Sequence, residues 1–191
     1  MSVREVVAIG DPVLRQRARE LSDEEIASPE IQGLIDDLIE TKRIRHGAGI
    51  AANQVGEPVR VAIVEVEEGN PRYPYKPPVP LTVIINPTIE VLGDEMVEIN
   101  EGCLSVPDLR GDLPRHLAIR FRYLDRHGKE HEEVKRGLTA GTFQHEVDHL
   151  DGILFVYRAD PRTFATWEQF DRHQRDEFVR RVTRLNEELE S

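Results

Sequence analysis

The stretch His145-Glu146-Val147-Asp148-His149 decides the fold, because it places two imidazoles one helical turn apart. Residues at i and i+4 lie on the same side of a helix, so His145 and His149 can bind one metal ion. Glu146 is rotated by about 100° from His145, which leaves it free to move protons for a bound water. The pattern indicates metal-assisted hydrolysis.

The helix that carries this motif is predicted to run from about Thr139 to Leu150, with Gly152 ending it. Its apolar stripe lies opposite the two histidines and consists of Phe143, Val147 and Leu150. Gly141 and Thr142 are small and precede His145 by about one turn. They leave room for a neighbouring strand or for a substrate side chain, and an unbranched apolar side chain such as methionine fits best.

Outward from this helix, short apolar stretches alternate with turn residues. A helix is predicted to begin at Ser28-Pro29 and to stop near His46-Gly47. The stretch from Gly69 to Pro80 contains five prolines and is predicted to be a loop. Strands are predicted at Val59 to Val66, Val83 to Ile85, Ile89 to Leu92, Met96 to Ile99, Leu117 to Tyr123 and Glu130 to Val134. This is an α+β protein, with mainly antiparallel short sheets packed around a central metal-binding helix.

The domain organisation follows from length and from the periodicity at the C-terminus. A chain of 191 residues is predicted to be a single catalytic domain over residues 1–191. After Asp160-Pro161, apolar residues recur at helical spacing, which predicts a C-terminal helical extension from about Thr163 to Glu190.

Composition excludes several classes of partner. Lys and Arg total 25 against 36 Asp and Glu, a formal net charge of −11, so we expect no DNA binding through bulk electrostatics. No apolar run approaches the roughly 20 residues of a membrane span, and we expect no membrane partner. The N-terminus lacks the apolar stretch of a signal peptide, so a cytoplasmic location is predicted.

The identity of the third metal ligand decides what kind of site this is. A catalytic site needs three protein ligands and one open position. The candidates are Cys103, which lies between Gly102 and Pro107, and Glu168 in the C-terminal helix. Cys103 is the single cysteine of the chain and would be its softest ligand. From the residues alone, the competing interpretation is that Cys103 is a thiol buried in the core.

A second informative stretch is Gly47-Ala48-Gly49-Ile50-Ala51-Ala52-Asn53-Gln54. Its small residues let the backbone approach a ligand, and the Gln54 amide can donate hydrogen bonds. It lacks the spacing of a dinucleotide-binding loop, and no Walker-type lysine follows it. Taken alone, the stretch is more typical of a tight connection between a helix and a strand, because Gly-rich turns are common.

Together with Glu101-Gly102-Cys103-Leu104-Ser105 and Gln144 to Leu150, this stretch resembles the polypeptide deformylase family. The three motifs stand in the family's order, and the resemblance extends from about Val6 to Tyr157. One departure is Ile50, where the family usually has Leu. The resemblance implies a hydrolase that removes the formyl group from the N-terminal formyl-methionine of nascent polypeptides.

Mapped onto matching positions, the resemblance implies that Cys103, His145 and His149 bind one divalent metal ion. It implies Fe(II) in cells, with Zn, Ni or Co able to occupy the same ligands. Glu146 is implied as general base and then general acid. Glu101 and Asp148 are candidates for groups that orient these ligands or the nearby backbone.

The resemblance also implies residues that contact the substrate. The side-chain amide of Gln54 and the backbone N–H of Leu104 would stabilise the oxyanion. Gly49 would hydrogen-bond the peptide backbone, and Arg110 would lie at the outer end of the substrate groove. N-formylated nascent peptides are the implied partners. A C-terminal helix that contacts the ribosome is implied more weakly, because residues 168–190 carry five Arg against seven acidic residues.

Two other functions are compatible with the histidine motif. One is a zinc endopeptidase of the His-Glu-x-x-His type with Glu168 as third ligand, which leaves the Cys103 and Gly47 to Gln54 segments unexplained. The other is a non-catalytic, metal-stabilised binding protein.

Overall fold

The computed structural model describes residues 2–190 and has the predicted α+β class. The helices are α1 Asp23–Ile26, α2 Pro29–Ile44, α3 Gly137–Leu150, α4 Trp167–His173 and α5 Arg175–Glu190. The strands are β1 Gly49–Ala51, β2 Val61–Val66, β3 Val79–Val91, β4 Met96–Cys103, β5 Val106–His116, β6 Ala118–Leu124 and β7 Glu130–Arg136. Within residues 2–190, no helix combines the length and the apolar character that crossing a membrane requires.

The strands form two antiparallel sheets, one on each side of α3. The larger has five strands in the order β1-β2-β3-β6-β7, and the smaller is the β4-β5 hairpin. Strand β2 is buried along its whole length, so it is apolar at every residue except Glu65. Ala62 and Val64 pack in the core under α3, whereas Val61 and Ile63 pack in the core under α2.

Helix α3 is held between the two sheets by the apolar stripe that its sequence predicts. Phe143 and Leu150 are fully buried, and the Phe143 ring lies 4.8 Å from that of Phe121 on β6. The opposite face of α3, which carries His145 and His149, lies against the β4-β5 hairpin. The helix begins at Gly137, two residues earlier than predicted.

Helix α2 begins at the predicted cap. The Ser28 hydroxyl accepts a hydrogen bond from the backbone N–H of Ile31 at 3.3 Å, and Pro29 occupies the first helical position. The helix ends at Ile44, and His46 then takes a positive φ of 52° as the chain turns toward β1.

The strand predictions differ from the structure in two places. Residues 83–85 and 89–92 were expected as separate strands, but β3 is continuous and absorbs its irregularity at Asn86, which has a φ of 48°. Strand β5 was not predicted, because Pro107 and Pro114 are typical of loops. The hairpin has only two strands, so each of them is an edge strand, the position in a sheet that tolerates proline.

The C-terminal segment forms two helices instead of the single predicted helix. Thr166 caps α4 by accepting a hydrogen bond from the Gln169 N–H at 3.3 Å, and the chain bends at Gln174 before α5. The bend brings Phe170 and Phe178 to 6.0 Å from each other in one apolar cluster with Ile99. Burial of both phenylalanines against the hairpin therefore overrides continuous helical periodicity.

We expect Glu65→Gln to destabilise the fold by about 2 kcal/mol at pH 7. Glu65 Oε2 lies 2.6 Å from Nζ of the buried Lys42, and Oε1 lies 2.8 Å from Arg43 Nη2. Hydrogen bonds from Arg43 outweigh burial and, with Lys42, lower the pKa of Glu65 from 4.5 to about 2. That lowering corresponds to about 3 kcal/mol, of which solvent around the half-exposed Arg43 screens a part.

Urea unfolding at several pH values checks this prediction. A lowered folded pKa contributes stability that is complete above pH 4.5 and is lost as pH falls through about 2. The difference between wild type and variant should therefore shrink across that window. Glu67→Gln is the matched control, since the Glu67 side chain is 59% exposed and its Oε1 lies as far as 4.0 Å from Arg43 Nε. Equal losses in both variants would contradict the assignment.

Candidate functional site

Three side chains that could hold a metal ion converge where the end of β4 meets the C-terminal half of α3. The Cys103 Sγ lies 3.2 Å from His149 Nε2, and that atom lies 3.2 Å from His145 Nε2. All three atoms lie within 4.8 Å of one another. Both imidazoles project from one face of α3, and Cys103 at the end of β4 supplies the sulfur.

A buried network of charged side chains contacts His145 and supports this cluster. Glu101 Oε2 lies 2.7 Å from His145 Nδ1, which orients the ring so that Nε2 faces Cys103 and His149. The guanidinium of Arg115 binds both carboxylate oxygens of Glu101, at 2.8 and 2.9 Å, and also pairs with Asp148. Glu101 therefore orients a histidine directly, whereas Asp148 acts on the cluster only through Arg115.

Arg115 is the supporting residue that the sequence did not reveal. It is 1% exposed and lies on β5, the strand that was not predicted. No spacing along the chain connects it to Glu101, because the pairing depends on the register of the β4-β5 hairpin.

The surroundings of the cluster shift the pKa values of the two histidines in opposite directions. Burial opposes ionisation of Glu101, but Arg115 and His145 hold the pKa of that carboxyl well below its usual range. Burial likewise disfavours a charged His145, yet the neighbouring Glu101 and Cys103 raise its pKa. Burial and the charge of His145 hold the pKa of His149 well below its ordinary value. The neutral ring of His149 leaves a nitrogen lone pair available for a metal.

Glu146 has the surroundings of a group that exchanges protons. It is 3% exposed, and its Oε2 has no hydrogen-bond partner among the described residues. Burial raises the pKa of Glu146 to about 7, although His145 and Lys76 act in the opposite direction. A carboxyl with this pKa can both accept and donate a proton near neutral pH.

The backbone of Gly49 makes room for the Glu146 carboxylate. A Cβ built at Gly49 would collide with that carboxylate, so we expect Gly49→Ala to displace Glu146 and to lower kcat by about 100-fold. Gly33→Ala is the matched control, because nothing lies within 4 Å of the added Cβ. Formate release and thermal unfolding, measured for both variants, check this. If Gly49→Ala retained full activity, this account of Gly49 would be wrong.

Gln54 and Leu104 lie beside the cysteine. The Gln54 Nε2 lies 3.4 Å from Cys103 Sγ and 3.1 Å from Ser105 Oγ, while its Oε1 accepts a hydrogen bond from the Ala51 N–H. Leu104 follows Cys103 directly and lines the same cavity. Ser105 is fully buried, and sequence reasoning gave it no role, although it ends the Glu101 to Ser105 motif.

The cavity next to the cluster is small. It encloses about 40 Å³, because Tyr73 and Lys76 from the loop between β2 and β3 close over it. The space expected beside Gly141 is filled by the Ile99 side chain, and the Thr142 hydroxyl accepts a hydrogen bond from Lys76 Nζ at 2.8 Å. The small residues of α3 thus admit a neighbouring strand and a lysine, and Gly141 and Thr142 also line the cavity beside His145.

Arg110 does not lie at the outer end of an open groove, which corrects the expectation from sequence. It is 0% exposed, and its guanidinium carbon lies 4.1 Å from the Trp167 ring and 4.4 Å from the Phe170 ring. Its Nε and Nη2 donate to Asn100, and Nη2 also donates to the Tyr75 hydroxyl. The C-terminal segment covers Arg110, because its aromatic rings pack on the guanidinium plane.

The alternative third ligand lies elsewhere. The Glu168 side chain is 71% exposed and pairs with Arg172 at 2.8 Å. Among residues 2–190, Cys103, His145 and His149 are the group of potential ligands that comes together. This arrangement removes the structural basis of the endopeptidase alternative.

A family model described as "Polypeptide deformylase" matches residues 3–165. The chain belongs to the polypeptide deformylase family. It is 42% identical over 158 residues to the peptide deformylase of Leptospira biflexa serovar Patoc, covering 83% of this chain and 88% of that protein. It is 46% identical over 155 residues to peptide deformylase 2 of Nostoc sp., covering 81% and 85% respectively.

Solved deformylase structures share the fold. The class I type b peptide deformylase of Acinetobacter baumannii, bound to Met-Ala-Ser, matches with a TM-score of 0.79 and 43% identity. The match covers 83% of this chain and 99% of that one. Membership of the deformylase family makes this chain a metal-dependent hydrolase that removes the formyl group from the N-terminus of nascent polypeptides.

Proposed function

We propose that Cys103, His145 and His149 bind the catalytic metal ion, and that Glu146, Gln54 and the Leu104 N–H carry out deformylation around it. The observation that carries this proposal is the convergence of one sulfur and two ring nitrogens within 4.8 Å. In a tetrahedral site with ordinary bond lengths, such donor atoms are separated by about 3.3 to 3.6 Å. The separations of 3.2 Å from His149 Nε2 to each of its partners lie just below that range.

A divalent ion held by Cys103, His145 and His149 would lower the pKa of a water molecule and polarise the formyl carbonyl. Glu146 Oε2, which has no other partner among the described residues, accepts a proton from the attacking water. It then delivers that proton to the nitrogen of the departing amine, and the C–N bond breaks. The products are formate and a peptide with a free amino terminus, so one water is consumed in each turnover.

Gln54 and Leu104 stabilise the negative charge that develops on the formyl oxygen. The Gln54 Nε2 is already held beside the cluster by Ser105, and its Oε1 is fixed by the backbone of β1. A donor held in place in this way costs little reorganisation during the reaction. Gly49 offers its backbone on the opposite wall of the cavity, where an extended peptide can add to the edge of β1.

Iron(II) is the metal that we propose for the cell, with Zn, Ni or Co able to replace it. A set of one thiolate and two imidazoles suits several divalent metals, so the assignment to iron depends on the family resemblance. Anaerobic purification, metal analysis and a formate-release assay on formyl-Met-Ala-Ser test the whole proposal. Stoichiometric iron with high activity is expected. A protein that carries metal yet releases no formate would overturn the proposed function.

We also propose a cytoplasmic location, because nascent chains are the substrates. Contact with the ribosome through α5 remains a hypothesis, and Arg180 and Arg184 on its exposed face are the residues to test. Removing residues after Asp160 would delete Phe170 and Phe178 and expose Ile99 and Arg110, on which they pack, so charge reversal is the better experiment. Arg180→Glu with Arg184→Glu should weaken co-sedimentation with ribosomes at low salt. Unchanged co-sedimentation would refute this role of α5.

A further inference from the structure

Lys76 is a cationic side chain in the catalytic cavity to which the proposed mechanism gives no role. It belongs to the loop between β2 and β3 and lines the same cavity as Glu146 and His145. Its Nζ donates to Thr142 Oγ1 at 2.8 Å and lies 4.9 Å from the centre of the Tyr73 ring. An ammonium has three donors, and Thr142 is its only hydrogen-bond acceptor within residues 2–190.

The Lys76 ammonium lies at the distance from Glu146 that the end of the substrate's first side chain would reach. Thr142 precedes Glu146 by four residues on α3, a rise of about 6 Å along the helix. The Cα of the formylated residue lies about 2.5 Å from the formyl carbon, and an unbranched four-atom side chain extends about 5 Å further. A first side chain that runs along this face of α3 therefore ends beside Thr142 and Lys76.

Substrate entry must change the surroundings of Lys76. The cavity of about 40 Å³ holds only a few water molecules, so a first side chain that reaches Thr142 competes with Lys76 for that space and for the Thr142 hydroxyl. Burial lowers the pKa of Lys76 to about 8, with Glu101 and Glu146 opposing the effect, and the side chain is still mainly charged at pH 7. A half-buried donor that loses its acceptor destabilises the complex unless the ligand supplies another acceptor.

We propose that Lys76 is a specificity-determining residue that favours a first side chain with a strong hydrogen-bond acceptor near its end. Methionine sulfoxide is the natural example, because it keeps the length of methionine and replaces a weak thioether acceptor by a polar S=O group. The inference depends on the proposed function and concerns the same site. It implies that the enzyme deformylates nascent chains whose first methionine has been oxidised.

The test compares kcat/KM for formyl-Met-Ala-Ser and for the same peptide with methionine sulfoxide at the first position. In Lys76→Met, which keeps the approximate length and removes the donor, the ratio of sulfoxide to methionine should fall about tenfold. Lys76→Arg keeps a charged donor and should retain the ratio within about threefold. Lys129→Met, at an exposed turn between β6 and β7, is the control and should behave as wild type.

The outcomes separate this inference from the proposed function. An unchanged ratio in Lys76→Met, with normal hydrolysis of both peptides, would overturn the role of Lys76 and leave the deformylase assignment intact. A wild-type enzyme that releases formate from neither peptide would overturn the proposed function itself. Circular dichroism verifies folding, and Lys76→Ala provides the same comparison if Lys76→Met does not fold.

Discussion

Glu146→Gln is expected to lower formate release by at least about 100-fold while leaving the metal content unchanged. Glutamine has almost the same shape as glutamate and can still form hydrogen bonds, but it cannot accept the proton of the attacking water. General acid–base groups typically contribute on the order of 10² to 10⁴ in rate. Because Oε2 has no other partner among the described residues, the substitution breaks no internal hydrogen bond of that atom.

Two measurements make the Glu146→Gln experiment decisive. Metal analysis of the purified variant should give the same stoichiometry as wild type, since Glu146 is not among the converging donors. Glu130→Gln, in an exposed position of β7, is the matched control and should keep full activity. A non-catalytic, metal-stabilised protein would show no rate difference between wild type and Glu146→Gln. Retained formate release in the variant would therefore refute the assigned proton transfer.

Cys103→Ala is expected to weaken metal binding by on the order of 100-fold and to abolish activity in metal-depleted buffer. A structural zinc site with four ligands supplies about 10 to 16 kcal/mol, so one thiolate accounts for about 3 kcal/mol. The sulfur lies between His149 Nε2 at 3.2 Å and Gln54 Nε2 at 3.4 Å, and no other described residue can take its place. Titration with a metal chelator, followed by metal analysis, measures the loss.

His127→Ala is the control for this experiment, because it removes an imidazole from an exposed turn far from the cluster. It should bind metal as wild type does. An endopeptidase with Glu168 as ligand would keep its metal in Cys103→Ala, so full metallation of that variant would contradict the proposed ligand set. The surface pair between Glu168 and Arg172 gives no reason to expect that result.

The sequence predicted the local parts of the site well. The separation of His145 and His149, the apolar stripe of α3 and the Ser28 cap of α2 each depend on residues within one or two helical turns. Such patterns are set by the 3.6-residue repeat and by cap hydrogen bonds, which do not depend on the rest of the fold. The structure confirms the helix positions to within two residues.

Predictions failed where distant packing decides the local conformation. The β4-β5 hairpin contains prolines that are typical of loops. Its register places Arg115 opposite Val97, from where the Arg115 side chain reaches Glu101. The C-terminal segment bends at Gln174, because Phe170 and Phe178 enter one cluster. The same segment covers Arg110, whose motif position had suggested contact with substrate.

The amino-acid sequence by itself determined the α+β class, the two-histidine helix and the small-residue segment at which a backbone can approach a ligand. The residues left Cys103 and Glu168 open as third ligand, and the structure decided between them by placing the Cys103 thiol beside His149. Only the tertiary structure decided that Arg115 neutralises Glu101 and that Lys76 enters the cavity. The physical reason is the range of the interactions. Helical spacing and capping act between neighbours along the chain, whereas contacts between remote segments depend on strand register and on which apolar faces pack together.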